Sequence, residues 1–288
     1  MARISIGIPV YNEEQCIADT LTSVIRQLDD YPDIDIVISD NASSDKTLQN
    51  IETTLLRNEK HRNSIKLIKQ SQNKGIVFNF WNTFDNCDSE FFLWVGAHDI
   101  ISNRYVLHGI KHMTNYPTFS MFCGKHTALS PKGDFNEQTV EYDFSQDNPV
   151  ERYLRSIATL GNCYIFHSIF RRSALDKFER LKDVPSSDHI IISHLLWSGY
   201  LFQSKECFYA RRYFPQENRV QKNQAGAYVN ARNNVNFYSA YIKDLESLMS
   251  AQPEAIKHMV TRQASDLLVK RFGIPFVQQN EANFSIHT

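Results

Sequence analysis

Four short apolar runs alternate with stretches of helical spacing over the first hundred residues, and this alternation constrains the fold more than any other feature of the chain. Ile4 to Val10 reads as a buried strand that stops at Pro9 and opens into a loop at Asn12. Asn12 is placed to cap a helix, with Gln15 three residues on, and Ile17, Leu21, Val24, Ile25 and Leu28 make one apolar stripe. The unit then repeats. Ile34 to Ser39 is a second strand, Asp40 to Asp45 its loop, and Leu48, Ile51 and Leu55 the inward face of the next helix. Ile65 to Ile68 is a third strand, Asn73-Lys74-Gly75 a turn, Ile76, Phe80 and Phe84 a third stripe, and Phe91 to Val95 a fourth strand.

Strands that alternate with helices predict a mostly parallel sheet with right-handed crossovers. In such sheets ligands sit outside the carboxyl ends of the strands, so the loops that begin at Pro9, Asp40, Asn73 and Gly96 are expected to converge. Past residue 115 the pattern is sparser. It gives strands at Phe119 to Cys123, Cys163 to Phe166 and Cys207 to Tyr213, a helix from Asp188 to Trp197, and a helical tail from about Tyr228.

A formal charge of −1 supplies no overall field for nucleic acid, so any phosphate recognition must be local. The five cysteines are odd in number and include no C-x-x-C pair, which argues against a disulfide framework or a zinc site and for a reducing cytoplasm. Met1-Ala2-Arg3 leads directly into ISIGIPV, leaving no room for a signal peptide, and the longest apolar run, FFLWVGA, is too short to span a bilayer. Membrane contact is therefore expected to be peripheral at most, at the inner face of the plasma membrane.

The segments IPVYNEE (8–14), SDNASSDKT (39–47), NKGIVFNFWN (73–82), WVGAHD (94–99), IFRRSAL (169–175) and SSDHIIISHLLWSG (186–199) occur together and in order. In these the chain resembles glycosyltransferase family 2, over roughly residues 3 to 215. The resemblance implies an α/β GT-A fold, Rossmann-like, with a mostly parallel central sheet flanked by helices and a helical C-terminal extension. It divides the chain into a catalytic domain over 1–222, with a nucleotide-binding half to about 115 and an acceptor half from about 116, and a tail over 223–288.

The resemblance also implies roles for particular residues. Pro9, Tyr11 and Glu13 would line the nucleobase pocket, with Tyr11 giving a stacking face, although Tyr11 could simply cover the sheet edge and Glu13 favour a helix start. Asp40 would accept the N3 proton of uracil or thymine, with Asn41 beside it, while Asp45 is more simply a turn former. Lys74 could meet the donor's phosphates at a helix start, or be solvated. Asp99 would hold a divalent cation, Mn²⁺ or Mg²⁺, that bridges the diphosphate. His98 stands where many relatives carry an aspartate, and would touch ribose or join the metal's ligands. Asp188 would deprotonate the acceptor hydroxyl, or cap its helix. By their own chemistry Arg212, Arg211 and Arg219, clustered after the next strand, could close on the pyrophosphate, or form a solvated basic loop.

The function expected from this resemblance is inverting transfer of a sugar from a nucleoside diphosphate, UDP or dTDP, to a hydroxyl of a glycan or lipid-linked acceptor, in building lipopolysaccharide, capsule or another surface polysaccharide. Two alternatives stand beside it. A sugar-nucleotide pyrophosphorylase should carry a glycine-rich loop after the first strand, which IPVYNEE is not, and a non-catalytic nucleotide-sugar binder would suit the altered GAHD. Self-association is left open. The tail places Ile256, Met259, Val260, Leu267 and Leu268 among Lys257, Arg262, Lys270 and Arg271, a pattern open to an anionic membrane or to packing on the catalytic domain.

Overall fold

The computed structural model describes residues 3–136, 140–181, 184–214 and 231–273. Its parallel half is built from β1 (Ile4–Val10), β2 (Ile34–Asp40), β3 (Ile65–Lys69) and β4 (Phe91–Trp94), in the spatial order β3-β2-β1-β4. Between them run α1 (Ile17–Ile25), α2 (Gln27–Asp30), α3 (Thr47–Arg57) and α4 (Ile76–Asp85). All seven residues of β1 are buried, as expected for a strand flanked by β2 and β4 and covered on both faces. Ile6 stands opposite Ile36 on one side and Leu93 on the other. Gly7 faces α4, and a Cβ there would strike Thr83 and the Phe92 ring, so glycine sets the close approach of that helix to the sheet.

The second half comprises β5 (Ile100–Ile101), α5 (Tyr105–Asn115), β6 (Phe119–Leu129), β7 (Phe135–Asn136), α6 (Pro149–Thr159), β8 (Ile169–Arg171), α7 (Ser187–Ser198) and β9 (Tyr200–Arg212). The sheet continues through β8, β6, β9 and β5, with β8 antiparallel to both β4 and β6, and β6 parallel to β9. The sheet is therefore mixed, parallel over β3, β2, β1 and β4. Two helices close the described chain, α8 (Val235–Leu248) and α9 (Glu254–Phe272). The expected boundary at 222 lies outside the described residues.

The sheet separates two apolar cores because alternate residues of a strand face opposite sides. Ile4, Ile6, Ile8, Leu93 and Val95 join α1, α3 and α5, whereas Phe92 and Trp94 join Phe84, Phe170 and the helices α6 to α9. Phe237, Tyr241 and Leu245 of α8 and Val260, Ala264 and Leu268 of α9 belong to the second core. Val260 and Leu268 thus face the protein, while Ile256 and Met259 remain exposed. Arg271 donates to the carbonyls of Ser156, Ile157 and Leu160, where a cation complements the carboxyl end of α6.

Two local expectations are corrected. Cys163 to Phe166 does not form a strand: Tyr164–His167 is a 3-10 turn, and the strand follows at β8. Ile165, Phe166 and His167 are all buried, and so short an apolar run cannot distinguish a buried turn from a strand. Asn12 does not cap α1, which begins at Ile17 with no side-chain cap. It takes a left-handed backbone (φ 54°), and its side-chain Oδ1 accepts from Ser44 N at 2.9 Å.

Candidate active site

The four loops at the carboxyl ends of β1 to β4 are tied to one another by side chains. Loop one meets loop two where Asn12 N donates to Ser43 Oγ (2.9 Å), Glu13 N to Thr47 Oγ1 (2.7 Å) and Lys46 N to Glu14 Oε2 (3.0 Å). Asp45 accepts from Thr47 N and Glu14 N, the turn-forming work expected of it. Loop two meets loop three through Asn41, whose Nδ2 donates to Asn73 Oδ1 (2.8 Å) and Gly75 O (3.1 Å) and whose Oδ1 accepts from Lys74 N (3.0 Å). Asn41 is buried with both ends of its amide engaged, so it positions loop three. Lys74 is exposed, its ammonium 4.7 Å from the centre of the Phe78 ring.

Asp40 ends β2 beneath these loops. It is 3% exposed, and its Oδ2 accepts from Ser43 N at 3.3 Å. Its Oδ1 is buried with no hydrogen-bond partner among the described residues. A carboxylate oxygen so placed carries a desolvation penalty that a donor from a ligand would relieve. Pro9 is buried within β1, and Tyr11, just past its end, is half-buried.

The fourth loop folds Asp99 inward. Asp99 N donates to Gly96 O at 2.9 Å, and a Cβ at Gly96 would strike the Asp99 carboxylate, so this glycine permits the turn. Asp99 Oδ2 accepts from Tyr209 OH (2.8 Å) and Oδ1 from Arg212 N (3.0 Å). His98 turns toward loop one, with Nδ1 3.1 Å from Glu13 Oε1. A carboxylate only accepts, so Nδ1 carries a proton, and Nε2 lies 3.7 Å from Asp99 Oδ1. Among the described residues no group of three His, Cys, Asp or Glu could hold a metal. A hard cation that takes most of its oxygens from a diphosphate needs only one or two protein ligands, and the Asp99 carboxylate, whose oxygens each accept one hydrogen bond and keep a second lone pair, fits that need.

The other side of the site comes from α7 and β9. Asp188 lies in the first turn of α7, its Oδ1 accepting from His189 N at 3.0 Å. Burial raises its carboxyl above the ordinary aspartate value, with Cys163, His189 N–H and Arg211 opposing. Along β9, Tyr209, Arg211 and Tyr213 share one side by alternation and Arg212 the other. Arg211 lies 5.5 Å from the Tyr164 ring centre, and Tyr164 and Tyr213 join through their hydroxyls. Arg212 is buried against α1, donating to Cys16 Sγ (3.0 Å) and Asp19 Oδ2 (3.3 Å). The structure thus sends the guanidinium of Arg212 into the scaffold and groups that of Arg211 with Asp188. Arg219 lies outside the described residues.

The family model of glycosyl transferase family 2 matches residues 5–178, more than half of the chain. The chain belongs to this family. Among curated relatives, this family 2 protein is 36% identical over 110 residues to a dolichyl N-acetyl-alpha-D-glucosaminyl phosphate 3-beta-D-2,3-diacetamido-2,3-dideoxy-beta-D-glucuronosyltransferase of Methanococcus voltae, across 38% of this chain and 33% of that one. It is 33% identical over 110 residues to the poly(ribitol-phosphate) beta-N-acetylglucosaminyltransferase TarS of Staphylococcus aureus, across 36% of this chain and 18% of TarS. The matched stretch is thus a third or less of those relatives' length. The structure of S. aureus TarS residues 1–349 with UDP-GlcNAc superposes with a TM-score of 0.65 and 18% identity, over 93% of this chain and 73% of that one. A mannosyltransferase from Pyrobaculum calidifontis with GDP-Man and Mn²⁺ gives 0.52 and 14%, over 93% and 74%. At these identities the likeness is one of fold, and it confirms the GT-A architecture.

The family 2 motifs did not mark several residues that complete the site. Tyr209 holds Asp99, and its ring stacks on His167, whose Nδ1 donates to Trp94 O at 3.0 Å. His126, 2% exposed, lies among the rings of Tyr142, Tyr164 and Tyr209. Period-two alternation in β9 was the one available signal, since it separates Tyr209 and Arg211 from Arg212.

Proposed function

We propose that this protein is an inverting glycosyltransferase that takes a sugar from a uridine or deoxythymidine diphosphate donor and places it on a hydroxyl of a glycan or lipid-linked acceptor, in surface-polysaccharide synthesis. The observation that carries the reading is the unpartnered, buried Oδ1 of Asp40 under the interlocked loops. The N3–H of uracil or thymine is the donor that this oxygen lacks, and Tyr11 stands at the end of the adjacent strand. Family membership, and relatives named as transferring sugars to glycan or lipid-linked acceptors, support the same chemistry.

Asp99, with His98 beside it, would hold Mn²⁺ or Mg²⁺, which when bound offsets the negative charge that develops on the leaving diphosphate. The chain's own residues do the rest. Asp188 takes the proton from the attacking hydroxyl, and its burial-raised pKa brings its basicity nearer to working pH than an exposed aspartate's. One base and no protein nucleophile give a single displacement, hence inversion. Arg211, close to Asp188, supplies positive charge to the same side of the site.

The test is release of UDP from UDP-N-acetylglucosamine, read together with the melting temperature in UDP with Mn²⁺ or with chelator. Wild type should release UDP and be stabilised by UDP only with metal, since a ligand bound to the native state alone raises its melting temperature. Asp99→Ala should lose the metal dependence. Equal stabilisation of wild type in chelator contradicts the cation assignment, and UDP binding without release makes the protein a non-catalytic binder.

A further inference from the structure

We propose that His189 and Tyr241 are positioning residues for the Asp188 carboxylate, so that helix α8 of the C-terminal segment serves the transfer step and not donor binding. The inference rests on Asp188 being the base.

Helix α7 is buried all round: every residue from His189 to Leu196 is shielded from solvent. A helix with apolar neighbours on all sides has no single stripe to fix its rotation, so its register must come from directional contacts. At its start Ser186 adopts a left-handed backbone (φ 53°) and makes no side-chain cap. The missing anchor is supplied one residue after the base. His189 N–H is shared between Ser186 O at 2.9 Å and Asp188 Oδ1 at 3.0 Å, and the His189 ring bridges two other helices, with Nε2 3.3 Å from Leu160 O after α6 and Nδ1 2.8 Å from Tyr241 OH on α8.

The proton positions follow. A carbonyl oxygen can only accept, so Nε2 carries the hydrogen and Nδ1 accepts from the Tyr241 hydroxyl. Burial lowers the His189 pKa to about 3, which keeps the ring neutral and this tautomer single. The chain of bonds therefore runs from Tyr241 O–H through the His189 ring, and from His189 N–H to the base.

One turn further, the pairing repeats. Ser193 meets both Tyr241 OH and Ser156 Oγ, His194 Nδ1 lies 2.7 Å from Asp244 Oδ1, and Tyr153 OH donates to Asp244 Oδ2 at 2.9 Å. A polar ladder thus joins α7 to α6 and α8 inside an otherwise apolar core. Buried polar pairs add little net stability over apolar packing of the same volume, but they specify one register. The donor loops have their own network through Asn12, Asn41 and Asp45, which no residue of α8 joins.

The test is a double-mutant cycle between Tyr241→Phe and Asp188→Asn on the full chain, with UDP release from UDP-N-acetylglucosamine and UDP affinity by calorimetry as readouts. Tyr241→Phe keeps the ring, which packs edge-on to Tyr153 and Phe237, and removes only the hydroxyl. It should lower kcat by about 10-fold or more, the size of a lost hydrogen bond that holds a reacting group. UDP affinity should stay unchanged. In the Asp188→Asn background the same substitution should cost almost nothing more, because residues that act through one another are not additive. His189→Asn, whose side-chain oxygen can accept from Tyr241 near the place of Nδ1, should keep more activity than His189→Leu. Losses that multiply in the double variant, or a matching fall in UDP affinity, overturn the proposal and leave Tyr241 a core residue. If Asp188→Asn alone keeps full activity, the assignment of the base fails first.

Discussion

Asp188→Asn is expected to bind the donor as wild type does, to lose transfer by about 10²-fold or more, and to melt at a higher temperature than wild type at neutral pH. The loss is the size expected for a missing general base. The gain in stability follows from the direction of the pKa shift. Burial raises the Asp188 carboxyl above its unfolded value of 3.8. A carboxyl raised in the folded state contributes stability that is fully present below the unfolded pKa and is lost as pH rises through the folded one. At neutral pH the ionised Asp188 therefore opposes folding. Asparagine keeps the acceptor for His189 N–H and removes the charge. Calorimetric melting at pH 7.5, beside turnover and UDP affinity, checks both halves, and near-normal turnover would make Asp188 a helix cap.

A second large effect is acid unfolding driven by histidines. His126, His167 and His189 are buried, and burial lowers their pKa values to about 3, 4 and 3 from 6.5. A depressed pKa means stability that is present above the unfolded value and is lost as pH falls toward the folded one. Each such group takes up its proton only in the unfolded chain below about pH 6.5, at about 1.4 kcal/mol per pH unit, so three together give a slope of about 4 kcal/mol per unit. Against a total stability of about 5–15 kcal/mol, that slope brings unfolding between about pH 5 and 3. Urea unfolding at pH 7.5, 6.0 and 5.0 measures it. A stability that is level from pH 7 to 5 would contradict the buried, neutral state of these rings.

The parallel half of the chain was legible because each unit of it is local. Ile4 to Val10 is apolar at every position but Ser5, Gly7 and Pro9, which suits a strand buried on both faces, and Ile17, Leu21, Val24 and Ile25 show one helical face, so β1 and α1 follow from spacing alone. Asp40 and Asp99 sit at strand ends, where topology gathers ligands. Contacts between distant segments were not legible. Asn12 has the chemistry of a helix cap, yet Ser44, 32 residues on, claims its side chain. Arg211 and Arg212 are equivalent by charge, and only the side of β9 that each occupies decides which one packs on α1 and which on the Tyr164 ring. The ladder from His189 to Tyr241 spans 52 residues and left no periodic trace, because α7 is buried all round.

The central claim is that Asp40 reads a uracil-like base, and calorimetric titration of UDP and CDP with Mn²⁺ into wild type and Asp40→Asn tests it most directly. Uracil presents an N–H at N3 to the carboxylate, whereas cytosine presents a lone pair. A hydrogen bond to a charged group contributes about 1.5–3 kcal/mol, so wild type should prefer UDP by about 10- to 100-fold. Asparagine can turn its amide nitrogen to the base, so Asp40→Asn should lose most of that preference and gain affinity for CDP. Equal binding of UDP and CDP by wild type, or a preference unchanged in Asp40→Asn, would contradict the assignment of the buried Asp40 oxygen to the nucleobase.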